Sequence, residues 1–112
     1  MFGVGVSADS VWIDEVTLAE PKVSYREIIA NVSAYTSAEG GSVGAWGDEL
    51  QVGYAAADDL PRGTVVVVCG STYIIMDRFG GDYVNRLDLY MEDESEAWEF
   101  GRKELKVYVK ED

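Results

Sequence analysis

From Tyr25 onward the chain alternates apolar and polar residues with the two-residue period of strands, and glycine-rich turns interrupt it. Val32, Ala34 and Thr36 alternate against Asn31, Ser33 and Tyr35, which predicts a first core strand within 25–36. Tyr54 to Asp59 leads into a turn at Leu60-Pro61-Arg62-Gly63-Thr64. Val65 to Cys69 is apolar on both faces, as a central strand is, and that context predicts Cys69 to be a small core residue. Gly70-Ser71 turns the chain into a strand over 72–77. Next, Leu87, Leu89 and Met91 share one face of a strand while Asp88 and Tyr90 share the other. In the closing strand, 103–110, Leu105, Val107 and Val109 point inward between Lys106, Tyr108 and Lys110. The 91–101 stretch alone reads as helix. Asp93 stands three residues before Glu96 as in a capping box, acidic residues crowd the first turn, and Gly101 sits at the C-terminal cap.

The pattern predicts an all-β fold: a closed six-stranded barrel over 25–112 with one short helix, preceded by an N-terminal arm over 1–24. Within the arm, Val11 to Leu18 reads as a strand broken by Glu20-Pro21. Gly3-Val4-Gly5-Val6-Ser7-Ala8 imitates a dinucleotide-binding fingerprint but has no strand–turn–helix context. Residues 37–53 hold five glycines together with Trp46, forming a loop long enough to be functional. Trp46 is a lid, a platform for a sugar ring, or a plug in the core.

Composition narrows the chemistry. A chain of 112 residues is one domain with one core. Its net charge of −12, from 9 basic and 21 acidic residues, argues against nucleic acid or an anionic membrane surface as partner. No stretch is long enough to span a bilayer, and Met1 to Ser7 has no basic region of the kind that opens a signal peptide. The absence of histidine removes Ser-His-Asp and Cys-His nucleophile pairs and the H-E-x-x-H zinc helix. A single cysteine allows no intrachain disulfide and no thiolate zinc site, and the acidic run 92–96 lacks EF-hand spacing. No metal or cofactor is expected. An enzyme built from these residues must use carboxylates as its acid and base.

The candidate centre is 76–90, read as strand, Gly80-Gly81 turn and strand. On this reading Asp77 and Asp88 converge from neighbouring strands. Aspartates beside glycine turns are also ordinary turn formers that accept backbone N–H groups.

Seven segments, in order and spacing, resemble the 3D-domain family, named for three aspartates. They are 32–36, 53–58, 60–64, Asp77 with Gly80-Gly81, Arg86-Leu87-Asp88-Leu89-Tyr90, Glu96-Ala97 with Phe100-Gly101-Arg102, and Val107-Tyr108-Val109. The family includes the catalytic domain of membrane-bound lytic transglycosylase A and small stationary-phase-survival muralytic proteins. The resemblance implies a double-psi β-barrel and cleavage of the MurNAc–GlcNAc β-1,4 bond of peptidoglycan to give 1,6-anhydro-MurNAc ends. It places the three aspartates at Asp58, Asp77 and Asp88, with Asp88 as acid and then base. Tyr35, Trp46, Gly80, Gly81 and Tyr90 become candidate sugar contacts. The chain departs from the family's Asp-Thr-Gly-Gly form, since Arg78 and Phe79 separate Asp77 from Gly80. The implied partner is a peptidoglycan glycan strand, and the implied location is extracytoplasmic or in the cell wall, by secretion or phage delivery. For the acid step, Asp88 must be protonated above its ordinary range, which burial and neighbouring carboxylates favour. The alternative is a non-catalytic barrel, a virion or cell-wall module that binds glycan.

Overall fold

The computed structural model describes residues 23–111. The strands are β1 (Ser24–Tyr35), β2 (Tyr54–Ala56), β3 (Val65–Val68), β4 (Ser71–Asp77), β5 (Arg86–Tyr90) and β6 (Lys103–Glu111). A one-turn helix, α1 (Ser37–Gly40), follows β1, and α2 (Glu94–Phe100) separates β5 from β6. The strands close into a barrel in the order β1-β5-β2-β4-β3-β6. The closed six-stranded all-β barrel is therefore as the alternation predicts, with α1 an addition inside the expected loop. The strand and fingerprint readings over 3–18 lie outside the described residues. So does most of the expected arm, although Ser24 already belongs to β1.

The barrel interior follows the two-residue period. Val32, Val66, Val68, Ile75, Leu87, Leu89 and Val107 are essentially inaccessible and form the main core. Burying each such side chain stabilises the fold by about 1.5–3 kcal/mol. β1 is long because it serves two partners. It runs antiparallel to β6 from Ser24 opposite Glu111 to Val32 opposite Lys103, and parallel to β5 from Asn31 opposite Arg86 to Tyr35 opposite Tyr90. A second, smaller cluster at one end of the barrel joins Tyr35, Leu50, Ala56 and Tyr90, with Tyr54 and Phe79 packed on it. The Tyr35 and Tyr90 rings meet edge to face there, 5.5 Å between centroids.

α2 is capped as its sequence predicts. Asp93 accepts from the Ser95 N–H at 2.7 Å, and Gly101, at φ 69°, donates its N–H to the Ala97 carbonyl.

Two expectations are corrected. Cys69 is exposed rather than in the core. With φ 52° at Cys69 and 79° at Gly70, the pair forms the two-residue turn that lets Val68 face Ser71 across the β3–β4 hairpin. The apolar run ended one residue earlier than its composition suggested. Second, β4 and β5 are not neighbours joined by the Gly80-Gly81 turn. β2 lies between them, parallel to β4 and antiparallel to β5.

Candidate functional site

That interposed strand assembles the site. Ala55 pairs with Ile75, but the next residue, Ala56, pairs with Asp77, because a bulge skips Met76. Since strand side chains alternate, a one-residue slip changes which face a side chain takes. Here it brings Asp77 opposite Ala56, which on its other side pairs with Asp88. Asp88 in turn pairs with Ser33 on β1. The result is a row across four strands: Ser33, Asp88, Ala56, Asp77. The small Ala56 side chain leaves room between the two carboxylates.

Asp88, Ala56 and Asp77 of this row, with Tyr35, form the floor of a groove of about 350 Å³, and Val43–Ala45 and Arg78–Phe79 line its walls. A larger hollow of about 930 Å³ lies against α2. Apart from Ala34 and Gly101 its described lining comes from that one helix, so polar groups do not converge on it as they do on the groove.

Each aspartate is held differently. Asp88, half-buried, accepts a 2.9 Å hydrogen bond from the Ser33 hydroxyl through Oδ1. Asp77 Oδ1 accepts from the backbone N–H of Ala45 at 2.7 Å and of Arg78 at 2.8 Å, and its Oδ2 accepts from the Tyr35 hydroxyl at 2.9 Å. Burial, then the hydrogen bond to Asp77 and the charges of Asp77 and Asp88, push the Tyr35 hydroxyl far above the usual tyrosine range. Tyr35 therefore remains a donor. Gly44 makes the close approach of the 43–45 wall possible. A Cβ there would lie 2.9 Å from the Met76 carbonyl oxygen and 3.3 Å from Asp77 Cγ.

Asp58 has another position altogether. Its Oδ1 accepts from the N–H groups of Phe79 and Gly80, and its Oδ2 from those of Gly81 and Tyr83, at 2.7–3.1 Å. Burial alone would raise this carboxyl, but the four backbone donors outweigh it and bring it down to about 2. Asp59 takes the Asn85 N–H beside it. The pair pins the 79–85 loop and lies outside the groove lining.

Of the predicted site residues, the structure brings together Tyr35, Asp77 and Asp88. Asp58, Gly80 and Gly81 form the loop anchor instead, with both glycine N–H groups directed to Asp58. Tyr90 is buried in the cluster beneath the floor. Trp46 is not a core plug: it is 38% exposed, at the rim, with the Arg78 guanidinium 5.7 Å from its ring centroid. Sequence reasoning missed Ser33, Gly44, Ala56 and Arg78. Ser33 and Ala56 depend on strand register and a bulge that no local pattern encodes. Gly44 was visible only as one glycine among five.

No helix among the described residues is long and apolar enough to cross a membrane. Compared with protein-family models and with curated proteins, the chain matches none.

Proposed function

We propose that the groove cleaves the glycan strands of peptidoglycan as a lytic transglycosylase, and that the barrel is a double-psi barrel of the 3D-domain family acting in the cell wall. The observation that carries this reading is the row Ser33–Asp88–Ala56–Asp77, two carboxylates separated by an alanine on the floor of an open groove. The two parallel pairs, β1–β5 and β2–β4, support the barrel assignment.

In the proposed reaction protonated Asp88 gives its proton to the glycosidic oxygen as the bond from MurNAc C1 to that oxygen breaks. The GlcNAc fragment leaves with a 4-hydroxyl, and positive charge develops at C1. The Asp88 carboxylate then takes the proton of the muramoyl C6 hydroxyl while O6 bonds to C1, closing the 1,6-anhydro ring and restoring the acid. No water is consumed. Ser33 orients Asp88 through its hydroxyl, and Asp77, fixed by two N–H groups and Tyr35, supplies negative charge beside the developing cation.

Mass analysis of material released from purified sacculi tests the reaction. Anhydro-muropeptides are the expected product, whereas reducing-end muropeptides would mean that water enters and the protein is a hydrolase. A second reading, a non-catalytic glycan-binding or virion barrel, draws on the same hydrogen bonds. Asp58 and Asp77 accept backbone N–H groups as structural aspartates do. Sedimentation with sacculi and no soluble product would favour it.

A further inference from the structure

Arg78 is the sole basic residue on the described lining of the groove. Its position is built rather than incidental. Its backbone N–H is tied to Asp77 Oδ1 at 2.8 Å, which fixes where the side chain starts, and its guanidinium lies over Trp46. Elsewhere on the described surface, Arg26, Arg62 and Lys106 pair with Glu111, Asp48 and Glu27, while Arg86, Arg102, Lys103 and Lys110 form no ion pair among the described residues but lie outside the groove lining. Arg78 forms no ion pair among the described residues, although the chain carries 21 acidic side chains against 9 basic ones. A guanidinium that lies over an indole ring and has no ion-pair partner offers its N–H groups to a planar, two-pronged acceptor, the geometry of a carboxylate.

Resting on the transglycosylase or glycan-binding reading of this groove, we propose that Arg78, braced by Trp46, reads a carboxylate on the muramoyl substituent, so that the groove discriminates charged glycan from neutral glycan of the same shape. The carboxylate belongs to the lactyl group where the stem peptide is absent and to the stem where it is present. Arg78 is then a specificity residue at the rim, apart from the Asp88 chemistry on the floor. In a groove containing Asp77 and Asp88, a carboxylate-bearing ligand would otherwise be repelled, and the cation sets which end of the groove it takes.

The test is binding of the Asp88→Asn protein, which holds its ligand intact, to three soluble glycans: peptide-bearing strands, strands stripped of peptide, and stripped strands with lactyl carboxylates converted to amides. At least one charged glycan is expected to bind about fivefold to tenfold more tightly than the amidated one. The tighter of the two charged glycans identifies the source of the carboxylate. Arg78→Gln on the same background should remove the preference while leaving affinity for the amidated glycan. Arg102→Gln, the same charge change outside the groove, should leave it intact. Equal binding of charged and amidated glycans, or a preference that survives Arg78→Gln, would overturn the assignment of Arg78 and leave the glycan reading standing. Binding of none of the three would overturn both. Circular dichroism and the thermal midpoint of Arg78→Gln exclude misfolding as a cause.

Discussion

Two loops wall the groove, and they are held in opposite ways. The 78–85 loop hangs from carboxylates on the segment after β2: four of its N–H groups point to Asp58 and a fifth to Asp59. The 41–53 loop is braced mostly by its own backbone. The Gly44 N–H bonds the Asp48 carbonyl, and the Leu50 N–H bonds the Ser42 carbonyl. It meets a groove carboxylate through the Ala45 N–H on Asp77, and the Arg62–Asp48 ion pair ties it to the turn before β3. The comparison separates aspartates that look alike in sequence. A carboxylate whose oxygens gather backbone N–H groups from one loop is part of the scaffold, as Asp58 is. Asp88 takes the Ser33 hydroxyl and lines the groove. Asp77 does both.

The largest effect on the fold is expected from Asp58→Asn. A carboxamide offers one acceptor oxygen, so two of the four loop donors would face an NH₂ group. The loss should be roughly 2–4 kcal/mol, read from chemical denaturation. The same carboxylate sets an acid limit. Because its folded value is depressed, its contribution is fully present above the ordinary carboxylate value of 3.8 and is lost as pH falls through about 2. Wild type should lose stability across that window, and Asp58→Asn should lose less of it. Identical pH curves would remove Asp58 as the anchor.

On the other wall, Gly44→Ala should cost roughly 1–3 kcal/mol by pressing a methyl against the Met76 carbonyl and Leu50. It also pushes on Asp77, so glycan binding or cleavage should fall further than the thermal midpoint suggests. A loss of stability with unchanged function would mean that the wall's position does not matter to the groove. The smallest effect belongs to Tyr35→Phe, which removes one donor from Asp77 while two N–H groups remain. About 1 kcal/mol is expected from denaturation, with the ring still packed on Tyr90.

Much of the barrel was legible because alternation dictates it. Leu87 and Leu89 against Asp88 and the closing strand's Val107 and Val109 are periodic. α2 carries its cap residues in sequence. The site was legible only in part. Asp77 and Asp88 stood out by residue type, but the reason they flank Ala56 in one row, a bulge that skips Met76 opposite β2, is a matter of register between segments about 20 residues apart. Cys69 misled for a related reason. Its apolar neighbours argue for burial, whereas the hairpin needs positive φ at that position. Asp58 shows the same limit, since which N–H groups it gathers depends on where a distant loop folds back.

The central claim is that Asp88 performs the chemistry while Asp58 builds the wall, and one measurement separates those roles. Wild type, Asp88→Asn and Asp58→Asn are incubated with purified sacculi at a temperature where all three are folded, and released anhydro-muropeptides are quantified by mass. Asp88→Asn is expected to keep the wild-type thermal midpoint and release none. Asp58→Asn is expected to be less stable yet still release product. Wild-type levels of anhydro-muropeptides from Asp88→Asn would contradict the account.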